Sequence, residues 1–131
     1  MRLTRTLTTL LFSALAASVA LAQTFPAKQV NLMVPYPAGG LSDTIARMVN
    51  NPLSKQLGQP VLVENLGGVS GAIGAQKVLS ANSDGYYLFQ GSPNELILSP
   101  LANAAVKFKS EDFRLVQMIG VANMRCLCAR I

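Results

Sequence analysis

The apolar positions of this chain change their spacing after Val34, and the change predicts a strand followed by a helix. Val30, Leu32 and Val34 lie two positions apart, which is the period of a strand with one buried face. Two prolines and two glycines interrupt the pattern in residues 35–40. Helical spacing then begins, with apolar residues at Ile45, Met48, Val49 and Leu53. Residues 35–40 are therefore expected to form a tight loop between a strand and a helix.

The helix after this loop has start and stop signals in the sequence. Ser42 is expected to be its N-cap, Asp43 lies in the first turn, and Gly58 follows the end. Pro52 disagrees with the pattern, because a proline inside a helix removes a backbone hydrogen bond and costs about 3 kcal/mol. We therefore expect a kink or break near residues 50–51, or two shorter helices.

Strands and helices continue to alternate in the rest of the chain. The further elements expected are a strand at 60–65, a small-residue helix through Ala75, Val78 and Leu79, a strand at 86–89, a short helix at 95–101, a charged connection at 107–114 and a fourth strand at 115–121. Such alternation is typical of a mostly parallel sheet with helices on both faces, so the expected fold class is α/β. Ligands of sheets of this kind bind beyond the C-terminal ends of the strands.

Three strand ends carry loops rich in glycine, serine and asparagine, at residues 35–40, 66–74 and 91–94. The first N–H groups of a helix lack partners and carry partial positive charge, so a strand-to-helix junction is a natural anion site. The candidate donors to a carboxylate are the backbone N–H groups of Gly39, Gly40 and Gly71 and the hydroxyls of Ser42, Ser70 and Ser92. A plain turn with no ligand is the alternative.

Two side chains near the first loop have two interpretations each. Asp43 can accept a hydrogen bond from a ligand hydroxyl or amine, or it can cap its own helix, which is the commoner role for aspartate in a first turn. Tyr36 can line a pocket or pack on the sheet.

The composition excludes several kinds of chemistry. The 131 residues include no histidine, which rules out Ser-His-Asp and Cys-His catalysis and most catalytic zinc sites. The glycine loops match neither a dinucleotide fingerprint nor a phosphate-binding loop, so neither an enzyme nor a cofactor is expected. The net charge of +5 comes from basic residues scattered singly, and nucleic acid binding is therefore not expected.

The first 22 residues are expected to be a secretory signal peptide rather than part of the fold. Arg2 and Arg5 precede an apolar run that is too short to span a membrane, and Ala20-Leu21-Ala22 matches a small-x-small cleavage site. The mature chain would then begin at Gln23 and have the length of one domain.

Several motifs together make the chain resemble the Bug-type substrate-binding receptors of tripartite tricarboxylate transporters, from about Pro26 to Val121. These motifs are Val34-Pro35-Tyr36-Pro37-Ala38-Gly39-Gly40 with Asp43, Leu57-Gly58-Gln59-Pro60, Val63-Glu64-Asn65, Gly68, Gly71 to Gly74, and Asp84-Gly85-Tyr86. The resemblance implies a periplasmic, type II binding-protein fold that closes two α/β lobes on a small di- or tricarboxylate or acidic amino acid. It also implies membrane permease subunits as partners.

The resemblance implies a set of ligand-binding residues in the loops after the strands. Carried over onto this sequence, they are Tyr36, Ala38, Gly39, Gly40, Ser42, Asp43, Ser70, Gly71, Ala72, Ser92 and Asn94. The chain departs from the family at Leu66-Gly67, where an Arg-Pro pair is usual, and at Val69-Ser70, where an Ala-Gly pair is common.

Family members are more than twice as long, so this sequence is expected to be their N-terminal part. We assign residues 23–106 to an incomplete first lobe and residues 107–131 to the start of the second, with an atypical tail from about residue 124. Cys126 and Cys128 lie in that tail, too close together for an ordinary disulfide and too few for a metal site. A receptor with one lobe mostly absent is expected to bind weakly or not at all. The alternative is a structural or self-associating interaction domain.

Overall fold

The computed structural model describes residues 25–121. The signal peptide expected at residues 1–22 and the atypical tail expected from residue 124 lie outside the described residues. The lobe boundary expected near residue 106 stays a prediction. No helix within residues 25–121 combines the length and the apolar character that crossing a membrane requires.

Three parallel strands form one sheet in the order β2-β1-β3. Their bounds are Val30–Val34 for β1, Val61–Asn65 for β2 and Tyr87–Phe89 for β3. β1 is central, and its Leu32 pairs with Val63 on one side and Leu88 on the other. The parallel sheet confirms the fold class expected from the alternating pattern, and all three strand ends point to one edge of the sheet.

Helices cover both faces of the sheet. Helix α1, Leu41–Leu57, packs its Ala46 into a core with Val30, Leu32, Val34 and Val61. Helix α2, Ala72–Leu79, lies on the opposite face, where Ala72 and Ala75 form a second core with Phe108. Met33 is 0% exposed and faces this second side, so β1 is buried on both faces. This burial is stronger than the alternation of Val30, Leu32 and Val34 predicted.

The segment after β3 is helical and then irregular. A π-helical turn, Asn94–Leu98, leads directly into the short helix α3, Ser99–Ala102, close to the helix expected at 95–101. The charged connection at 107–114 contains a 3-10 turn, Ser110–Asp112, and carries Phe108 into the second core. Phe113 packs beside Phe89 and Phe108, with ring centroids 5.4 Å and 5.8 Å apart.

Three expectations about individual elements were wrong. The N-cap of α1 is Gly40, not Ser42, and no side chain caps the helix. α1 also continues through Pro52, so the break or the two shorter helices expected there are absent. Pro52 and Met48, whose carbonyl loses its partner, both lie on the exposed side, where water can replace the missing bond. Residues 115–121 form no strand, because nothing in the described part of the chain pairs with them.

Candidate functional site

Three loops leave the sheet at the C-terminal ends of its strands. We call residues 35–40 loop 1, residues 66–71 loop 2 and residues 90–93 loop 3, and their common surface the three-loop apex. Because the strands are parallel and adjacent, the loops emerge side by side. The three loops are therefore close enough together to contribute to one ligand-binding site.

Loop 1 ends in the uncapped start of α1, the longest helix described. Ala38, Gly39, Gly40 and Leu41 are exposed, and no side chain accepts from the first N–H groups of the helix. These groups are therefore open to a ligand, and the peptide dipoles of the 17-residue helix favour a negative charge beside them. Ser42 lies inside the first turn, and its carbonyl accepts from Nε2 of Gln90 in loop 3 at 2.8 Å.

Asp43 is 3% exposed, and its carboxylate is occupied by three donors within the protein. Oδ2 accepts from the backbone N–H of Gly39 at 2.8 Å and from Nε of Arg47 at 2.9 Å, while Oδ1 accepts from Nδ2 of Asn65 at 3.0 Å. The hydrogen bonds from Arg47 and Gly39 lower the pKa of Asp43 to about 2. The geometry favours an anchoring role for Asp43, which ties loop 1 to the end of β2, over contact with a ligand.

Asn65 supports loop 1 a second time. Its Nδ2 donates to the carbonyl of Tyr36 at 3.1 Å as well as to Asp43. Sequence reasoning noted Asn65 only as part of a family motif and gave it no role. Its place as the last residue of β2 is the one signal that could have suggested a contact with the neighbouring loop.

Loop 2 has an unusual backbone. Val69 and Ser70 adopt positive φ angles of 47° and 52°, and Gly71 follows at 86°. A β-branched residue in the left-handed region is a conformational outlier, and such residues cost on the order of 1–3 kcal/mol each. Strain of this kind is concentrated at functional sites. Ser70 is exposed at the tip of the loop, while Gly71 and Ala72 are buried beneath it.

A buried carboxyl group joins loops 1 and 3. Glu95 is 0% exposed and accepts from the hydroxyl of Tyr36 and from the backbone N–H of Ser92, the latter at 2.6 Å. Asn94 donates to the oxygen of the same Tyr36 hydroxyl at 3.2 Å. Burial, and after it the hydrogen bond to Glu95, raises the pKa of Tyr36.

The candidate residues from the sequence therefore fall into three groups, apart from Ser42, which is half-buried in the first turn of α1. The apex exposes Ala38, Gly39, Gly40 and Ser70, whereas Tyr36, Ser92 and Asn94 form hydrogen bonds beneath the surface, and Asp43, Gly71 and Ala72 are buried. Glu95 was missed, because a glutamate near a helix start is ordinarily a solvated first-turn residue and nothing in the sequence signals its burial. Gln90 was also missed, because nothing in the sequence signals its hydrogen bond to the carbonyl of Ser42.

A polar cleft lies between the sheet and the C-terminal part of α2. Its floor includes Asn31, Glu64 and Tyr87, and its volume is about 500 Å³. Tyr87 donates to Oε2 of Glu64 at 2.6 Å, and Lys77 pairs with Oε1 of the same carboxylate. Burial, and after it the bond to Glu64, raises the pKa of Tyr87 to about 12. Within residues 25–121, no group of histidine, cysteine or acidic side chains is arranged to hold a metal ion.

Comparison with known proteins gives one consistent family. The model of the tripartite tricarboxylate transporter family receptor matches residues 45–130, a range that extends into the tail we expected to depart from the family. An Agrobacterium vitis protein of the UPF0065 group, encoded in the TAR-I ttuE-ttuC' intergenic region, is 49% identical over 64% of this chain and 25% of its own length. BugT of Bordetella pertussis is 37% identical over 76% of this chain and 31% of its own length.

Solved structures agree with these relatives. A protein of R. palustris solved with adipate is 39% identical, with a TM-score of 0.51 over 53% of this chain and 23% of its own. Periplasmic binding proteins are among the other structures matched. The chain thus spans about a quarter to a third of the length of the curated relatives it matches.

Proposed function

Because the chain belongs to the tripartite tricarboxylate transporter receptor family, we propose that its three-loop apex binds a carboxylate group of a small di- or tricarboxylate or acidic amino acid. The observation that carries this proposal is the convergence of an exposed, uncapped helix start with two further loops at one edge of the sheet. The donors would be the backbone N–H groups of residues 40–42 and the hydroxyl of Ser70, since the N–H of Gly39 already donates to Asp43. Adipate in the R. palustris relative makes a dicarboxylate the first ligand to test.

The proposed role is capture and delivery rather than catalysis. The family is one of transport receptors, and the chain has no histidine for acid-base chemistry at neutral pH. We further propose that the protein acts in the periplasm with membrane permease subunits. The basic and apolar leader at residues 1–22 supports export, and recovery of a periplasmic protein that begins at Gln23 would test it.

The carboxylate proposal is tested by NMR titration of the ¹⁵N-labelled chain with adipate. We expect amide shifts confined to loops 1 and 2 and the first turn of α1. The expected dissociation constant is about 1 mM, because a few charge-assisted hydrogen bonds from one side supply only about 4 kcal/mol. Hexane-1,6-diol, the uncharged analogue, serves as the ligand control. The absence of loop shifts at concentrations well above that value would refute the proposal.

A pair of serine variants locates the site. Ser70→Gly removes the exposed hydroxyl and suits the positive φ at this position, so it should weaken adipate binding without harming the fold. Ser83→Gly removes a hydroxyl from an exposed turn outside the apex and should leave binding unchanged. Equal affinities in the two variants would place the ligand elsewhere.

One observation favours the alternative function of a self-associating domain. Leu115, Val116 and Met118 are 85%, 80% and 73% exposed in a segment that pairs with no strand of residues 25–121. An unpaired apolar segment of this kind can associate with a second copy. Analytical ultracentrifugation would then give a dimer that Val116→Lys dissociates and Gln117→Lys does not. A monomeric wild type would exclude this alternative.

A further inference from the structure

Among the acidic and basic residues in the described part of the chain, Glu95 is the most deeply buried, with 0% exposure. It lies beneath the proposed binding surface. Its two carboxyl oxygens each have a donor, the Tyr36 hydroxyl from loop 1 and the Ser92 backbone N–H from loop 3. None of the ion pairs among residues 25–121 involves this carboxyl group. The hydrogen bonds are therefore what compensates its loss of water.

Loop 2 is held against the same side chain by packing. Gly71 has no Cβ, and a Cβ placed there would overlap Cγ of Glu95 and lie 3.1 Å from Cβ of Pro35 in loop 1. Gly71 also has a φ of 86°, which a residue with a side chain rarely adopts. Glu95 consequently touches all three loops: loops 1 and 3 through hydrogen bonds, and loop 2 through van der Waals contact.

We propose that Glu95 is a positioning residue, which fixes the spacing of the three loops so that the exposed donors at the start of α1 and in loop 2 converge on one carboxylate. It does not touch the ligand, because it is fully buried. A carboxyl group without a cation partner keeps its two donors strictly, since moving either loop leaves an unpaired buried oxygen. The loops therefore hold their geometry before the ligand arrives, and the cost of ordering them falls on folding rather than on binding. The ligand part of this inference rests on the proposed function.

The same contacts assign a different role to Tyr36. Its hydroxyl proton is donated to Glu95, and its hydroxyl oxygen accepts from Asn94. Its carbonyl is occupied by Asn65. Tyr36 thus links Glu95 to loop 1 and has no free hydroxyl proton for a ligand.

A double-mutant cycle between Gly71 and Glu95 tests the contact without any ligand. Gly71→Ala should destabilise the wild type through backbone strain, the close approach to Pro35 and collision with Glu95, whereas in a Glu95→Ala background the collision is relieved and only the strain and the approach to Pro35 remain. We expect the denaturation midpoints to be clearly non-additive. Gly58→Ala is the matched control, because Gly58 also has a positive φ, of 66°, but a Cβ there meets nothing within 4 Å. If the effects of Gly71→Ala and Glu95→Ala on the denaturation midpoint add as closely as those of Gly58→Ala and Glu95→Ala, the proposal is overturned.

The ionisation of Tyr36 provides a spectroscopic test in a variant that keeps the shape of the side chain. Glu95→Gln should bring the Tyr36 pKa down toward its ordinary value, although burial keeps part of the shift. Ultraviolet titration measures the change, and Tyr36→Phe identifies the transition. An unchanged Tyr36 titration in Glu95→Gln would overturn the proposed link between Tyr36 and Glu95. This variant tests the link even if Glu95→Ala fails to fold.

Adipate titration connects the positioning role to binding. Glu95→Gln, which can still accept from Ser92 and bond to Tyr36, should bind nearly as the wild type does, whereas Glu95→Ala should bind about tenfold more weakly or worse. A folded Glu95→Ala that binds adipate as tightly as the wild type would overturn the positioning role. A wild type that does not bind adipate would instead refute the proposed function. The double-mutant cycle and the Tyr36 titration would still test the contacts of Glu95, because neither needs a ligand.

Discussion

For the substitution Gly74→Ala, helix propensity and packing predict changes of opposite sign in the free energy of unfolding. Gly74 lies inside α2, in ordinary helical conformation and fully buried. Replacing a glycine inside a helix with alanine ordinarily stabilises a protein by about 0.5–1 kcal/mol, because alanine loses less backbone entropy on folding. On propensity alone, Gly74→Ala should therefore raise the free energy of unfolding.

The packing around Gly74 reverses this expectation. An added Cβ would lie 2.8 Å from the carbonyl oxygen of Leu66 and 3.3 Å from both Cα and Cβ of Pro35. Two of these three atoms belong to the backbone, so no side chain can rotate away. Overpacking of a buried site costs about 1–3 kcal/mol, and three simultaneous contacts place this substitution in the upper part of that range. After the helix gain is subtracted, we expect a net loss of about 1–2 kcal/mol.

Urea denaturation of Gly74→Ala, followed by circular dichroism, measures the difference. Gln76→Ala, on the exposed side of the same helix, is the control, and its stability should change little. A Gly74→Ala protein more stable than the wild type would show that α2 does not approach loops 1 and 2 as closely as we describe. The substitution should also weaken adipate binding, because it forces Pro35 and Leu66 away from the helix.

Three further predictions concern the anchors and the core. Asp43 has a folded pKa of about 2, below its ordinary value, so its contribution to stability is complete above about pH 4 and is lost as the pH falls through 2. In urea denaturation between pH 2 and 5, the free energy of unfolding of Asp43→Asn should therefore fall less steeply with decreasing pH than that of the wild type. Tyr87→Phe removes the hydrogen bond to Glu64, and thermal melts should show a loss of about 1 kcal/mol. Met33→Ala empties the fully buried centre of β1, and chemical denaturation should show a loss of about 2–5 kcal/mol.

The order of strands and helices was predictable because it depends on local spacing of apolar residues. β1, β2 and β3 were each expected within one residue of their observed bounds, and the parallel sheet followed from the helices between them. The errors occurred where local preference was outweighed by surroundings. Pro52 was expected to break α1, but it lies on a solvated side, where the lost hydrogen bond costs less.

The site was predictable only in outline, because the spacing of apolar residues along the sequence does not show which loops contact each other. The sequence located the glycine loops and the helix start. It could not indicate that Glu95 is buried, since its neighbours Ile97 and Leu98 are about half exposed and no apolar periodicity separates the inner from the outer face of this turn. Nor could it indicate that Asn65 bonds to both Asp43 and Tyr36, 22 and 29 residues away.

The surroundings of the two acidic anchors, Asp43 and Glu95, support the proposal that the apex binds an anion. Asp43 forms an ion pair with Arg47 and accepts a hydrogen bond from the Gly39 N–H, and Glu95 accepts from donors of two loops. Both carboxyl groups are buried and therefore do not face the apex. What the apex leaves exposed is main-chain N–H groups and the Ser70 hydroxyl, which attract a carboxylate through dipoles rather than through net charge. Binding that rests on fixed dipoles depends on their alignment, because each contributes little by itself. Loosening Glu95 should therefore weaken adipate binding more than removing any single exposed donor does.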